Sequence, residues 1–315
     1  MSIFQFGHAG VDLFFVISGF IICYVHFNDI GKPERIGKYL ARRFQRVFPL
    51  YWLALALTIA LSILGTHSFP TVLRLITSAL LFPFSGEPLL GIAWTLQFEV
   101  TFYFVFCMCI CNRRVGLSVA ALWLAVVLAS AVIGPLPYVP ALLLSPYNLQ
   151  FLFGVTGAVW LHRSPDSVPD WFLPVGIGGF LIAALAEDSN LMNGYHDIAR
   201  LAYGVPCGLM VLGAAMFSFK WREARWPLLS SLGAASYSIY LFQFLWIGMI
   251  WKIWQTLPLP FGLPSWTAFP FLAIPAIWGG CIVSRTCEYP MLQWIRRWMG
   301  SARPRDTIDV AKSRT

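Results

Sequence analysis

The sequence predicts an all-α fold: a polytopic membrane helix bundle of about nine transmembrane helices. Three observations predict it. Of the 315 residues, 58% are hydrophobic and only 11% charged, whereas a soluble domain carries about 25% charged residues and needs them for its surface. Apolar runs of about 20 residues, the length a helix needs to cross a bilayer core, recur from one end of the chain to the other. Finally, lysine and arginine fall in every second connection between those runs, the pattern that orients a membrane protein.

The runs lie at 10–27, 45–64, 91–111, 115–133, 147–162, 171–187, 198–218, 235–254 and 267–286, with 147–162 the shortest. The stretch 70–84, bounded by Pro70 and Pro83, is too short to span and is expected to be a re-entrant or interfacial helix. Residues 1–300 are expected to form a single membrane domain, and 301–315 a polar, disordered cytoplasmic tail. Of the 22 Lys and Arg residues, all but Arg74, Arg200 and Lys252 lie in alternate connections or in the C-terminal part. Six stand in the stretch 28–46: Lys32, Arg35, Lys38, Arg42, Arg43 and Arg46. Arg113, Arg114, Arg163, Lys220, Arg222 and Arg225 mark the later ones. That side is cytoplasmic by the positive-inside rule, so the C-terminus is cytoplasmic. The net charge of +8 is therefore an orientation signal and calls for no nucleic acid partner. Nine spans with a cytoplasmic C-terminus put Met1 outside, with nothing evident to carry it across; a further helix upstream is expected. The seven cysteines read as small hydrophobes, and no spacing suggests a metal site.

Four stretches carry a family resemblance: "GHAGVDLFFVISGFII" at the first run, "ARRFQRVFPLYWLAL" at the second, "AWTLQFEVTFYFVF" at the third, and "ASYSIYLFQF" together with "SRTCEYPMLQWIRRW" near the end. Together, from residue 7 to about 298, they resemble acyltransferase family 3, integral membrane enzymes that O-acylate glycans such as exopolysaccharides and O-antigen. The resemblance implies about ten spans, of which the first, carrying a basic residue and the histidine that serves as base, has no counterpart in this chain. Gln243 stands where the family often has histidine after "YL". The resemblance further implies a short acyl-CoA such as acetyl-CoA as donor, no permanently bound cofactor, a saccharide or lipid-linked glycan as acceptor, membrane lipids as surroundings and the bacterial inner membrane as location.

Asp12 opens the first apolar run; it is either a helix N-cap or a group that orients catalytic or substrate atoms, and the resemblance favours the second. Arg42, Arg43 and Arg46 are spaced so that Arg46 shares a helix face with each of the others, with Pro49 placed to kink the helix. They serve either as an ordinary positive-inside anchor or as a cradle for acyl-CoA phosphates, which arginine binds bidentately; RxxRxxP matches the family. Glu99 lies within its run, where an unpaired carboxylate is costly. It is either a structural hydrogen-bond partner or a functional acid–base group, with Tyr103 four residues on as its candidate partner. His8 is the histidine beside a family motif, interfacial or catalytic. His26, His67, His162 and His196 read as interface residues, Tyr237 and Tyr240 as packing, and Glu288 as a surface partner of Arg285 that could also order the arginines.

The expected activity is acyl transfer from acyl-CoA to a saccharide hydroxyl, with Asp12, Glu99 and His8 as catalytic candidates and Arg42, Arg43 and Arg46 as donor-binding candidates. The alternatives are an inactive truncated copy and a transporter or flippase of a glycan precursor. Against the transporter, the chain shows no two related halves.

Overall fold

The structure, a computed structural model, describes residues 5–66, 69–82, 87–133, 141–220, 227–256 and 265–298. The expected tail, His67, Arg222 and Arg225 lie outside the described residues. Among those described there is no strand. The helices are α1 (Gly10–His26), α2 (Ile36–Thr66), α3 (Val72–Ala79), α4 (Trp94–Cys111), α5 (Arg113–Ile133), α6 (Ala141–Leu144), α7 (Tyr147–Arg163), α8 (Phe172–Asp188), α9 (Asp197–Lys220), α10 (Pro227–Thr256), α11 (Ser265–Val283) and α12 (Tyr289–Trp298). A π-helical turn, Ser284–Glu288, joins the last two.

Every predicted apolar run falls on a helix. Among the described residues seven helices are long and apolar enough to cross a membrane. α7 and α8 have 17 residues each, rising about 25 Å, which lies at the short end of what crosses a bilayer. α3, with eight residues, does not span. Large apolar side chains such as Phe104, Leu122, Ile182 and Trp278 face outward while Asp12, Glu99, Gln150, Glu187 and Arg200 are buried. This inverts the soluble pattern and follows from a lipid surrounding, because polar groups at membrane depth must find partners inside the bundle.

The contacts divide the chain into two compact units: residues 1–40 with 70–225, and 41–69 with 226–315. In the first, α1 packs along α7 and also meets α9, while α8 pairs with α9 and α4 with α5. α1 buries the stripe Asp12, Phe15, Val16, Gly19, Cys23 and His26, one face of a 3.6-residue period. Phe15 is its anchor, with ring centroids 4.8 Å from Phe151, 5.6 Å from Phe98 and 5.7 Å from Tyr147. The α1–α7 approach is backbone on backbone: a Cβ on Gly19 would overlap the Phe151 carbonyl, and one on Gly154 would overlap the Val16 carbonyl. Small residues permit such contact between membrane helices.

The two ends of this unit differ. At one, the Gly31 N–H donates to the Cys109 carbonyl (3.0 Å) and the Phe27 ring lies 3.9 Å from that of His162. Lys32, Arg35, Arg113, Arg114 and Arg163 all fall in or beside the connections at this end. At the other end His8, Asp12, Tyr147, Glu187 and Arg200 meet, so the alternation of charge along the sequence is an alternation of ends in space.

In the second unit α10 packs along α11, and the Tyr237 hydroxyl donates to the Val47 carbonyl of α2 (2.8 Å). α2 continues as helix through Pro49.

Substituting Gly154 by Val is expected to lower the thermal unfolding midpoint of the detergent-solubilised full chain, since overpacking against fixed backbone costs about 1–3 kcal/mol or more. Gly10→Ala, where a Cβ meets nothing within 4 Å, is the matched control and is expected to leave the midpoint unchanged.

Candidate active site

The end of the first unit away from the basic residues holds two linked ion pairs. Asp12 lies in the first turn of α1. The helix is capped by Ala9 without a side-chain bond, so Asp12 is not the N-cap that the sequence allowed. Its carboxylate is fully buried: Oδ2 accepts from Arg200 Nη1 (2.6 Å) and Oδ1 from Gln150 Nε2 (2.8 Å). Arg200 also donates to the Tyr147 hydroxyl (3.0 Å) and to the Gly194 carbonyl. Its guanidinium stands 4.8 Å from the Tyr147 ring centroid, a cation–π contact. A buried arginine in an apolar helix is tolerable because carboxylate, hydroxyl, carbonyl and ring share its charge and donors.

The second pair is His8 with Glu187. His8 Nε2 lies 2.7 Å from Glu187 Oε1, and the Tyr203 hydroxyl donates to Oε2 (2.6 Å). Tyr195 stacks on the His8 ring, centroids 4.7 Å apart. With Nε2 holding the proton toward Glu187, Nδ1 carries the lone pair, and Nδ1 is a buried atom with no hydrogen-bond partner among the described residues. A histidine steered by a carboxylate through one nitrogen, with the other unengaged, is the geometry of a general base.

Glu99, on α4, lies beside α1 and deeper than Asp12. The Tyr103 hydroxyl donates to its Oε1 (2.5 Å), the partner that the four-residue spacing offered, and Ser18 Oγ donates to the same atom (3.3 Å). Ser18 is six residues beyond Asp12, about 9 Å along the helix axis. The two carboxylates therefore meet α1 at different depths, Asp12 as part of it and Glu99 from α4.

At the basic end His26 is buried rather than interfacial, because it closes the inner stripe of α1. Its Nδ1 lies 2.8 Å from Asp29 Oδ2, and its ring is edge-on to Tyr39, whose hydroxyl donates to the Tyr103 carbonyl (3.2 Å). His162 and His196 are exposed, as the sequence suggests.

Within the second unit Glu288 is buried, and its partner is Arg46, not Arg285. Arg46 Nη1 lies 2.8 Å from Oε1, while Ser238 and Ser284 donate to Oε2 at 2.6 and 3.1 Å. The Arg46 guanidinium also stands 5.3 Å from the Tyr237 ring centroid, so Tyr237 is more than packing. Arg46 keeps 41% of its side chain exposed, and only one of its five N–H donors goes to Glu288. Arg42, one helical turn before, is exposed, and Arg43 is half-buried. A planar fork held in place at a helix surface suits phosphate oxygens.

Sequence reasoning missed Glu187 and left Arg200 as an exception to the charge alternation. Each carried a signal: a charge inside or at the edge of an apolar run requires a counter-charge.

The acyltransferase domain model of acyltransferase family 3 matches residues 1–285. The chain belongs to acyltransferase family 3. This family-3 chain is 31% identical over 307 residues, 92% of its length and 89% of the relative's, to ExoZ of Rhizobium meliloti (strain 1021), an exopolysaccharide production protein. It is 31% identical over 108 residues, 33% of its length and 31% of the relative's, to ORF330 of Acidianus two-tailed virus, a candidate acetyltransferase. No solved structure matches. With its apolar helices, this family-3 member is an integral membrane acyltransferase.

Removing Arg200 leaves Asp12 a buried charge without its counter-charge. Arg200→Met is expected to destabilise by about 3–5 kcal/mol, and the Asp12→Asn, Arg200→Met double variant by less than the sum of the two singles. Thermal unfolding of the four proteins in one detergent measures this. Glu288→Gln, which removes the counter-charge of Arg46, is expected to lower the unfolding midpoint by less than Arg200→Met does, because Arg46 keeps 41% of its side chain exposed.

Proposed function

We propose that this protein moves an acetyl or other short acyl group from acyl-CoA to a hydroxyl of a saccharide, such as an exopolysaccharide, an O-antigen or a lipid-linked glycan. The observation that carries the reading is His8: its Nε2 is fixed on Glu187 and its Nδ1 is left without a partner. The likeness to a protein named for exopolysaccharide production supports the acceptor class.

In this reading His8 Nδ1 takes the proton of the acceptor hydroxyl as its oxygen attacks the thioester carbonyl. A carbon–oxygen bond forms, the carbon–sulfur bond breaks, and the departing thiolate ends as the protonated thiol of CoA. Glu187 holds the imidazole in the tautomer that leaves Nδ1 basic and stabilises the imidazolium. Asp12 acts through Arg200 and Gln150 to fix the start of α1, and with it the place of His8. Glu99, bound by Tyr103 and Ser18, is an acid–base group along the acyl path. Arg42, Arg43 and Arg46 take the phosphates of CoA. The concentration of basic residues at one end of the first unit supports a cytoplasmic face there in the bacterial inner membrane, and the run of basic residues from Arg285 onward in the sequence supports a cytoplasmic C-terminus.

The test is transfer of radiolabelled acetyl from acetyl-CoA to oligosaccharides by the purified full chain. His8→Ala is expected to lower kcat by about 10²–10⁴-fold. Arg43→Lys and Arg46→Lys are expected to raise the KM for acetyl-CoA although charge is kept, because the bidentate fork is lost. Unaltered kcat in the His8 variant would remove His8 as the base.

A further inference from the structure

We propose that the connection between α8 and α9 is an acceptor subsite that takes one sugar ring of the saccharide; the assignment rests on the saccharide reading above. A cavity of about 240 Å³ opens there, lined by Glu187, Asn190, Met192, Asn193, Gly194 and Tyr195. It falls below the ~300–1,000 Å³ of pockets for drug-sized ligands and suits a single ring.

The lining matches what a sugar ring presents: an apolar face of C–H bonds and a girdle of hydroxyls. Tyr195 is 79% exposed, yet its ring is fixed by stacking on His8 with 29° between the planes. An aromatic ring with one face on the protein and the other open is a platform for the C–H face. Asn193 Oδ1 accepts the Tyr195 N–H (3.0 Å), so its amide N–H groups are what it offers a ligand, and Asn190 adds a second amide. The lining holds one carboxylate and no lysine or arginine, so it disfavours the phosphates of acyl-CoA and selects a neutral polyol.

The connection is also built to hold position. The Gly194 carbonyl accepts from Arg200, whose other contacts lead to Asp12 and Tyr147. Glu187 is pinned by His8 and Tyr203. Asn190, at φ 58, turns the chain after α8, and its N–H donates to the Glu187 carbonyl (2.8 Å). Tyr195 and Glu187 each touch both the cavity and His8, so a ring bound here lies against the residues that hold the imidazole.

The experiment uses the purified full chain, radiolabelled acetyl-CoA, and cellotetraose, galactotetraose and mannotetraose as acceptor probes. For whichever probe the wild type acylates, Tyr195→Ala is expected to raise the saccharide KM about tenfold, the scale of one lost stacking contact together with its buried area. Its KM for acetyl-CoA stays within about twofold. Tyr195→Phe, which keeps the platform, restores the saccharide KM, and Asn193→Ala raises it. Saccharide KM values within about twofold of wild type in both Tyr195→Ala and Asn193→Ala would overturn the subsite and leave the saccharide reading standing. A rise in the acetyl-CoA KM instead would assign the cavity to the donor and overturn it equally. A wild type that acylates none of the probes while it hydrolyses acetyl-CoA would count against the saccharide reading itself, and the subsite would fall with it.

Discussion

The arrangement of the first unit depends on one buried ion pair. Asp12 and Arg200 are 188 residues apart, and neither charge could remain at this depth without the other. Their contact ties α1 to α9, and Gln150 and Tyr147 add α7. Because Arg200 also holds the Gly194 carbonyl, the same contact sets the connection between α8 and α9. The position of Glu187, and through it the orientation of His8, follows from that. A bilayer interior supplies no water to relieve a misplaced partner, so the pair selects one packing of these helices.

The polar interior of the first unit holds several clusters. Asp12, on α1, is met by arginine and glutamine, while Glu99, on α4, has tyrosine and serine among its partners. The His26–Asp29 contact, at the far end of α1, is a third polar cluster, connected through Tyr39 to the Tyr103 backbone. Within the second unit, Glu288 sits at the end of a π-helical turn. A π turn accommodates an extra residue and redirects the side chains that follow, which is why such turns recur at functional positions. Here the redirected residue is a buried carboxylate that accepts two serine hydroxyls and fixes an arginine at the surface of α2.

The clusters differ in charge. In the second unit Arg46 is held but not neutralised, since one donor of five is spent on Glu288, which supports the proposed binding of a phosphate-bearing donor. In the first unit the connection after α8 presents amides and an aromatic face beside His8, which supports the proposed binding of a neutral polyol.

Much was legible in the sequence. A composition poor in charge and apolar runs of membrane length determined a helical membrane bundle, because lipid forces every spanning backbone into helix, and basic residues in alternate connections marked one end of the first unit. The motifs around Asp12, Arg43 and Glu99 determined the family, and the four-residue spacing determined the Glu99–Tyr103 contact, since helical neighbours are fixed by the helix itself. Only the tertiary structure decided which charge meets which: Asp12 with Arg200 and not a cap, His8 with Glu187, Glu288 with Arg46 and not Arg285, and His26 inside rather than at the interface. Those pairings join residues far apart in the chain, and sequence periodicity carries no information about which helix faces which; packing of small residues such as Gly19 and Gly154, and the need of each buried charge for a partner, settles it.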